Sequence, residues 1–116
     1  MLYGWKGKIL RVDLADKKVV KQDLPEEWMK KYMGCRGIET KILYDEVGPE
    51  VDPFSPKNKL IFGTGPLEGT PIGMGRVSVQ TKHAMRFIAE GGAAGHWAPE
   101  LKFAGYDFVV VERKSD

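Results

Sequence analysis

Apolar and polar residues nearly alternate along Lys8-Ile9-Leu10-Arg11-Val12-Asp13-Leu14, the period that turns successive side chains to opposite faces of a strand. A weaker version recurs in Lys18-Val19-Val20-Lys21-Gln22, and Ala15-Asp16-Lys17 between the two supplies a turn. The pair predicts a β-hairpin. Pro25-Glu26-Glu27 then opens a helix, with Asp23 or Leu24 at the cap. Proline suits the first helical position, and the two carboxylates suit the positive end of the helix dipole. Trp28, Met29, Tyr32 and Met33 form the apolar face of this helix, and Gly34 ends it. Ile38, Ile42, Leu43 and Glu46, with Val47, recur at helical spacing and predict a second helix over 38–47, closed by Gly48-Pro49.

Further on, Lys59-Leu60-Ile61-Phe62-Gly63 is a short apolar run, read as a buried strand. Residues 76–81 alternate cleanly as another strand, with 85–89 as its expected hairpin partner. A short helix is expected over 94–103 and a last strand over 106–112. Strands fall early, middle and late, without a strict βαβ rhythm. The class is therefore α+β, with mixed or antiparallel sheets and two to three short helices. At 116 residues the chain makes one domain, 1–116, with a thin core.

Composition narrows the function classes. With 42% hydrophobic and 29% charged residues the chain reads as globular, not disordered. A net charge of +2, from 18 basic and 16 acidic side chains, offers no basic stripe for nucleic acid. No apolar run approaches the roughly 18 residues that span a bilayer, so no membrane association is expected. The opening Met-Leu-Tyr-Gly-Trp-Lys lacks the apolar core of a secretory signal, and a cytoplasmic location is the expectation. The single cysteine, Cys35, excludes an internal disulfide and a metal cluster built from this chain's thiolates alone. Glycine changes the picture most. There are 14, most of them between Gly63 and Gly105, which points to tight turns and to backbone that a ligand approaches closely.

Arg76 follows Gly73-Met74-Gly75 and begins a strand. A guanidinium makes bidentate, charge-assisted bonds to phosphate, and neighbouring glycines let backbone N–H groups come near it. Gly91-Gly92-Ala93-Ala94-Gly95 is read as a small-residue loop entering a helix, where free amides make an anion site; the alternative is a plain turn and cap. Gly65-Pro66-Leu67-Glu68-Gly69-Thr70 lacks the Gly-Lys-Ser/Thr ending of a phosphate loop and is read as a structural turn. Gly73-x-Gly75 precedes a strand, so it is no dinucleotide fingerprint. His83 and His96 are too few for a metal site of their own; His96 is read as a surface or capping residue beside the glycine run. Cys35 is read as a small buried hydrophobe.

The ordered set of short motifs carries a resemblance. Val51-Asp52-Pro53-Phe54-Ser55-Pro56-Lys57-Asn58-Lys59-Leu60-Ile61-Phe62, then Gly63-Thr64-Gly65-Pro66-Leu67-Glu68-Gly69-Thr70, resembles a stretch of the aldehyde:ferredoxin oxidoreductases. So do Gly4-Trp5, Arg11-Val12-Asp13-Leu14, Gly34-Cys35-Arg36-Gly37, and Glu100-Leu101-Lys102-Phe103-Ala104-Gly105-Tyr106-Asp107 with Val109-Val110-Val111-Glu112. Trp97-Ala98-Pro99 is similar to the catalytic subunits of tungsten-dependent benzoyl-coenzyme A reductases. The resemblance implies one repeat of an intertwined-repeat N-terminal domain, forming a base for a tungsten-bis-pterin cofactor (or its molybdenum counterpart). It implies that Arg76, with Gly75, contacts the phosphate side of a pterin, and that Gly92, Ala93, Ala94 and Gly95 lie at the pterins. Gly92 departs from the family pattern, which has asparagine there. Lys102 and Glu100 take a structural role. A [4Fe-4S] cluster arises only where other polypeptide supplies the cysteines, and ferredoxin is the electron acceptor of the complete enzyme, which oxidises aldehydes.

Three readings follow. The chain is a pterin-holding part or subunit of an oxidoreductase; or a stand-alone homodimer that serves as a scaffold; or an inactive fragment.

Overall fold

The computed structural model describes residues 3–73 and 75–116, so Met74, in the middle of the Gly73–Gly75 motif, lies outside the described residues. The elements run β1 (Lys8–Asp13), β2 (Lys18–Asp23), α1 (Glu26–Tyr32), α2 (Cys35–Glu46), β3 (Lys59–Gly63), β4 (Arg76–Lys82), β5 (Ile88–Ala94), α3 (Trp97–Phe103) and β6 (Phe108–Glu112). The strands form one mixed sheet of six in the order β2-β1-β6-β3-β4-β5. Neighbours are antiparallel except β1 and β6, which run parallel at the centre. The expected α+β class is what the chain adopts.

Alternation decides which side chains meet the helices. Ile9, Ile61, Phe108 and Val110 are fully buried on one face of the sheet, against Ile38, Ile42 and Leu43 of α2. Burying each such side chain contributes about 1.5–3 kcal/mol. Trp28, Met29 and Tyr32 of α1 pack at the margin of this core, whereas Met33, expected on the same face, is 82% exposed. It sits past the helix in the left-handed region, so its side chain leaves the stripe. The opposite sheet face presents the intervening residues Leu10, Val12, Leu60, Val79, Val109 and Val111, all half-buried or exposed. Leu60 was expected inside the core and is 37% exposed, because α3 covers only one end of this face. There Trp97 meets Phe62 with ring centroids 5.4 Å apart.

Several boundaries differ from the pattern-based expectation. Pro25 stands just outside α1 as its cap. α2 begins at Cys35 instead of Ile38, and α3 at Trp97 instead of Ala94. The last strand starts at Phe108, because Asp107 turns its carboxylate back into the fold. The largest difference is β5. Its expected span was 85–89, yet it runs to Ala94, paired with β4 from Lys82↔Ile88 to Arg76↔Ala94.

Asp107 ties the two ends of the chain together. Its carboxylate accepts N–H bonds from Lys6 and Gly7 (3.1 and 2.6 Å), and Lys102 Nζ lies 2.5 Å from its Oδ1. Lys102 also donates to the Gly4 carbonyl at 2.6 Å. This buried pair is the physical content of the Glu100–Asp107 motif, and the structural role expected of Lys102 is what it has.

Candidate anion-binding site

The register of β4 and β5 places Ser78 opposite Gly92 and Arg76 opposite Ala94, all on the α2 side of the sheet. Arg76 leans along the strand, so that its Nε lies 3.3 Å from where a Cβ on Gly92 would stand. With no side chain at Gly92 the guanidinium rests over bare backbone. At the next step along the strands, Gly95 N–H donates to the Gly75 carbonyl at 2.9 Å. A Cβ on Gly75 would collide with the Gly95 carbonyl oxygen and come within 2.9 Å of Pro99 Cδ. The backbone N–H of Arg76 donates to Glu68 Oε2 at 3.1 Å, fixing the strand end against the 65–70 turn. The Arg76 side chain itself is exposed, and no carboxylate lies in ion-pair range of it among the described residues.

Gly75 and Gly95 pair at the same strand ends, with the space over Gly75 filled by the Gly95 carbonyl and Pro99, and Arg76, Gly92 and Ala94 share one corner on the α2 side of the sheet. Ala93 does not: it pairs with Val77 and faces the other side. Gly91 to Ala94 are also strand, not the loop expected at a helix start. Backbone pairing needs no Cβ, so small residues complete an edge strand that their propensities argue against. Their amides are consequently not the N-terminus of α3, a helix of seven residues preceded by Gly95 and His96. His96 is exposed at that cap, as expected, while His83 stacks on Phe87 at 4.5 Å in the turn between β4 and β5.

Sequence reasoning missed the floor beneath this corner. Glu39 of α2 is fully buried, and its Oε2 accepts a hydrogen bond from Ser78 Oγ. Its other oxygen, Oε1, has no partner among the described residues and points over Gly63, where a Cβ would lie 2.6 Å away. Burial pushes the Glu39 carboxyl up to about 7, partly offset by the Ser78 hydrogen bond and reinforced by nearby Glu90. A signal existed: Glu39 directly follows Ile38 inside the apolar stripe. One turn earlier on α2, Arg36 reaches across to β5 and pairs with Glu90, Nε to Oε1 2.6 Å. Cys35 is half-buried, less enclosed than expected, and burial with nearby Glu39 pushes its thiol up to about 11. At neutral pH that thiol is a poor nucleophile. No group of three or more His, Cys, Asp or Glu side chains able to hold a metal occurs among the described residues.

An exposed guanidinium over glycine backbone at a sheet corner can bind a tetrahedral oxyanion. Residues 9–116 match the family described as aldehyde ferredoxin oxidoreductase, N-terminal domain. The chain belongs to that family. The tungsten-containing aldehyde ferredoxin oxidoreductase of Pyrococcus horikoshii is 48% identical over 99% of this chain, but this chain covers 19% of that protein. A second relative, the aliphatic sulfonate oxidoreductase WOR-like subunit of Pyrococcus furiosus, is 36% identical over 98% of this chain and 19% of its own length. Among solved structures, the active site complex BamBC of benzoyl coenzyme A reductase, bound to 1,5-dienoyl-CoA, superimposes with a TM-score of 0.95. It is 42% identical, over 99% of this chain and 18% of that one. This chain thus adopts the fold of the matching part of these relatives and spans about a fifth of their length.

Proposed function

We propose that this chain is the cofactor-facing base of a tungsten-dependent oxidoreductase of the aldehyde ferredoxin oxidoreductase family. Arg76 would hold a phosphate of the pterin cofactor, with Gly92, Ala94 and Gly95 giving the cofactor close access to backbone and Gly75 letting the strand ends close against Pro99. The observation that carries the reading is the Arg76 guanidinium lying over side-chain-free Gly92, 3.3 Å from a Cβ position that is bare. The donor set fits a phosphate: a free, exposed guanidinium on a rigid strand, beside backbone that a Cβ would obstruct. When bound, the tungsten-pterin group supplies the two-electron redox chemistry, and this chain binds and orients it. Ligands to tungsten and to an iron–sulfur cluster, and contact with ferredoxin, belong to other polypeptide on this reading, in a cytoplasmic enzyme.

The test is pterin and tungsten content after the chain is produced in cells that make the cofactor, together with the polypeptide that completes the enzyme. Wild type should retain both, and Arg76→Gln should lose most of the pterin while remaining folded. Equal pterin in the two would refute the role of Arg76.

A second reading is favoured by the open sheet face of Leu10, Val12, Leu60, Val79, Val109 and Val111. Apolar sheet of this extent is normally covered. A homodimer could cover it face to face, leaving the chain a scaffold without catalysis. Sedimentation of the isolated chain decides: a folded monomer at micromolar concentration removes this reading.

A further inference from the structure

Two guanidiniums, not one, reach the α2 side of β5. Arg76 of β4 lies over Gly92. Arg36, from the first turn of α2, crosses the gap between helix and sheet to Glu90, Nε to Oε1 2.6 Å. Glu90 and Gly92 point to the same face of β5, since they pair with Gln80 and Ser78, which both bond to α2 side chains. Residues two apart on a strand stand about 6.8 Å from one another. The two guanidiniums, one on Glu90 and one over Gly92, are thus held at neighbouring positions on one strand face. Gly92, beneath Arg76, adds no side chain of its own at this place. Arg36 is also 69% exposed, so its stem is free to turn.

We propose that Arg36 is a second phosphate-binding residue of this corner, exchanging Glu90 for the anion when a phosphate settles on Gly92. The inference rests on the reading of Arg76 as an anion-binding residue and extends it. Arg76 is the member whose backbone is set, by the strand end and the Glu68 bond. Arg36 is the movable one, and Glu90 competes with the ligand for it. A monoanion would be met by one guanidinium; a dianionic phosphate or a diphosphate engages both.

The experiment is titration calorimetry of the intact chain with inorganic pyrophosphate. Arg36→Gln should weaken binding about fivefold, whereas Glu90→Gln should strengthen it about threefold by releasing Arg36. Glu27→Gln, which makes the same change in net charge on the exposed face of α1, should leave affinity unaltered. Tighter binding in Glu90→Gln cannot come from misfolding, so the pair of variants keeps the test sharp. If Arg76→Gln weakens binding but Arg36→Gln and Glu90→Gln do not move in opposite directions, this inference is wrong and the role of Arg76 stands. Equal tightening by Glu27→Gln and Glu90→Gln likewise overturns it, as a bulk charge effect. If Arg76→Gln changes nothing, both fall.

Discussion

Glu39 is fully buried between α2 and the sheet, and the sole hydrogen bond to its carboxylate among the described residues comes from Ser78. Because its carboxyl is raised from 4.5 to about 7, the folded chain keeps a proton between those values that the unfolded chain releases. Stability should therefore fall as pH rises from about 4.5 to about 7, by an amount of order 3 kcal/mol or less, and then level off. Glu46, which Arg11 and Lys59 hold below its ordinary value of 4.5 against the opposing effect of burial, acts in a lower window with the opposite sign. Urea unfolding across this pH range measures the effect: Glu39→Gln should flatten the profile, and a wild-type profile rising through pH 5–7 would contradict the account. Gly92→Ala tests the same corner. Its Cβ would stand 3.2 Å from the Val77 carbonyl and 3.3 Å from Arg76 Nε. The guanidinium can swing aside, so the expected stability cost is under about 1 kcal/mol, with severalfold weaker pyrophosphate binding read by calorimetry. Arg76 was singled out in the sequence by its place in the family motif, after Gly73 and Gly75. Glu39 was not, since its burial depends on Ser78 and Gly63, which only the folded sheet brings beneath α2.

Among the elements, the turn between α3 and β6 ties the segment before β1 to the end of the chain. Lys102 and Asp107 are 2.5 Å apart with almost no exposure, and Asp107 holds the backbone of Lys6 and Gly7. Replacing one member strands the other's charge in the interior, which typically costs about 3–5 kcal/mol. Lys102→Met should lower stability by that amount and release the segment before β1, seen as faster amide exchange at Lys6 to Lys8. Unchanged exchange there would show that the pair does not hold the segment. The Glu100–Asp107 motif was recognisable as a string, and the fold supplies its reason. β5 illustrates the converse. Gly91-Gly92-Ala93-Ala94 reads as loop because none of these residues favours a strand, yet its pairing with β4 is made by backbone groups alone. The hairpin β1–β2 was readable, since both its alternation and its turn are local. The parallel contact of β1 with β6 was not, because it joins residues about a hundred positions apart.

For the molecule as a whole, one sheet face is sealed by α1 and α2 and the other lies largely open. The chain spans 19% of the Pyrococcus horikoshii relative, so a surface that further polypeptide would cover is expected. In isolation that face should drive association. Leu60→Lys with Val111→Lys should reduce concentration-dependent sedimentation while leaving the circular dichroism spectrum intact; unchanged association would place the contact elsewhere. The α+β class followed from the order of elements, whereas the single mixed sheet with a bare face needed the pairing itself. Phosphate binding at this corner has a direct readout in the Nε–Hε resonances of the arginines during addition of pyrophosphate. The Arg76 signal should move and saturate while those of Arg11 and Arg113, held by carboxylates, stay in place. A static Arg76 signal, or equal drift of all three, would contradict binding at this corner.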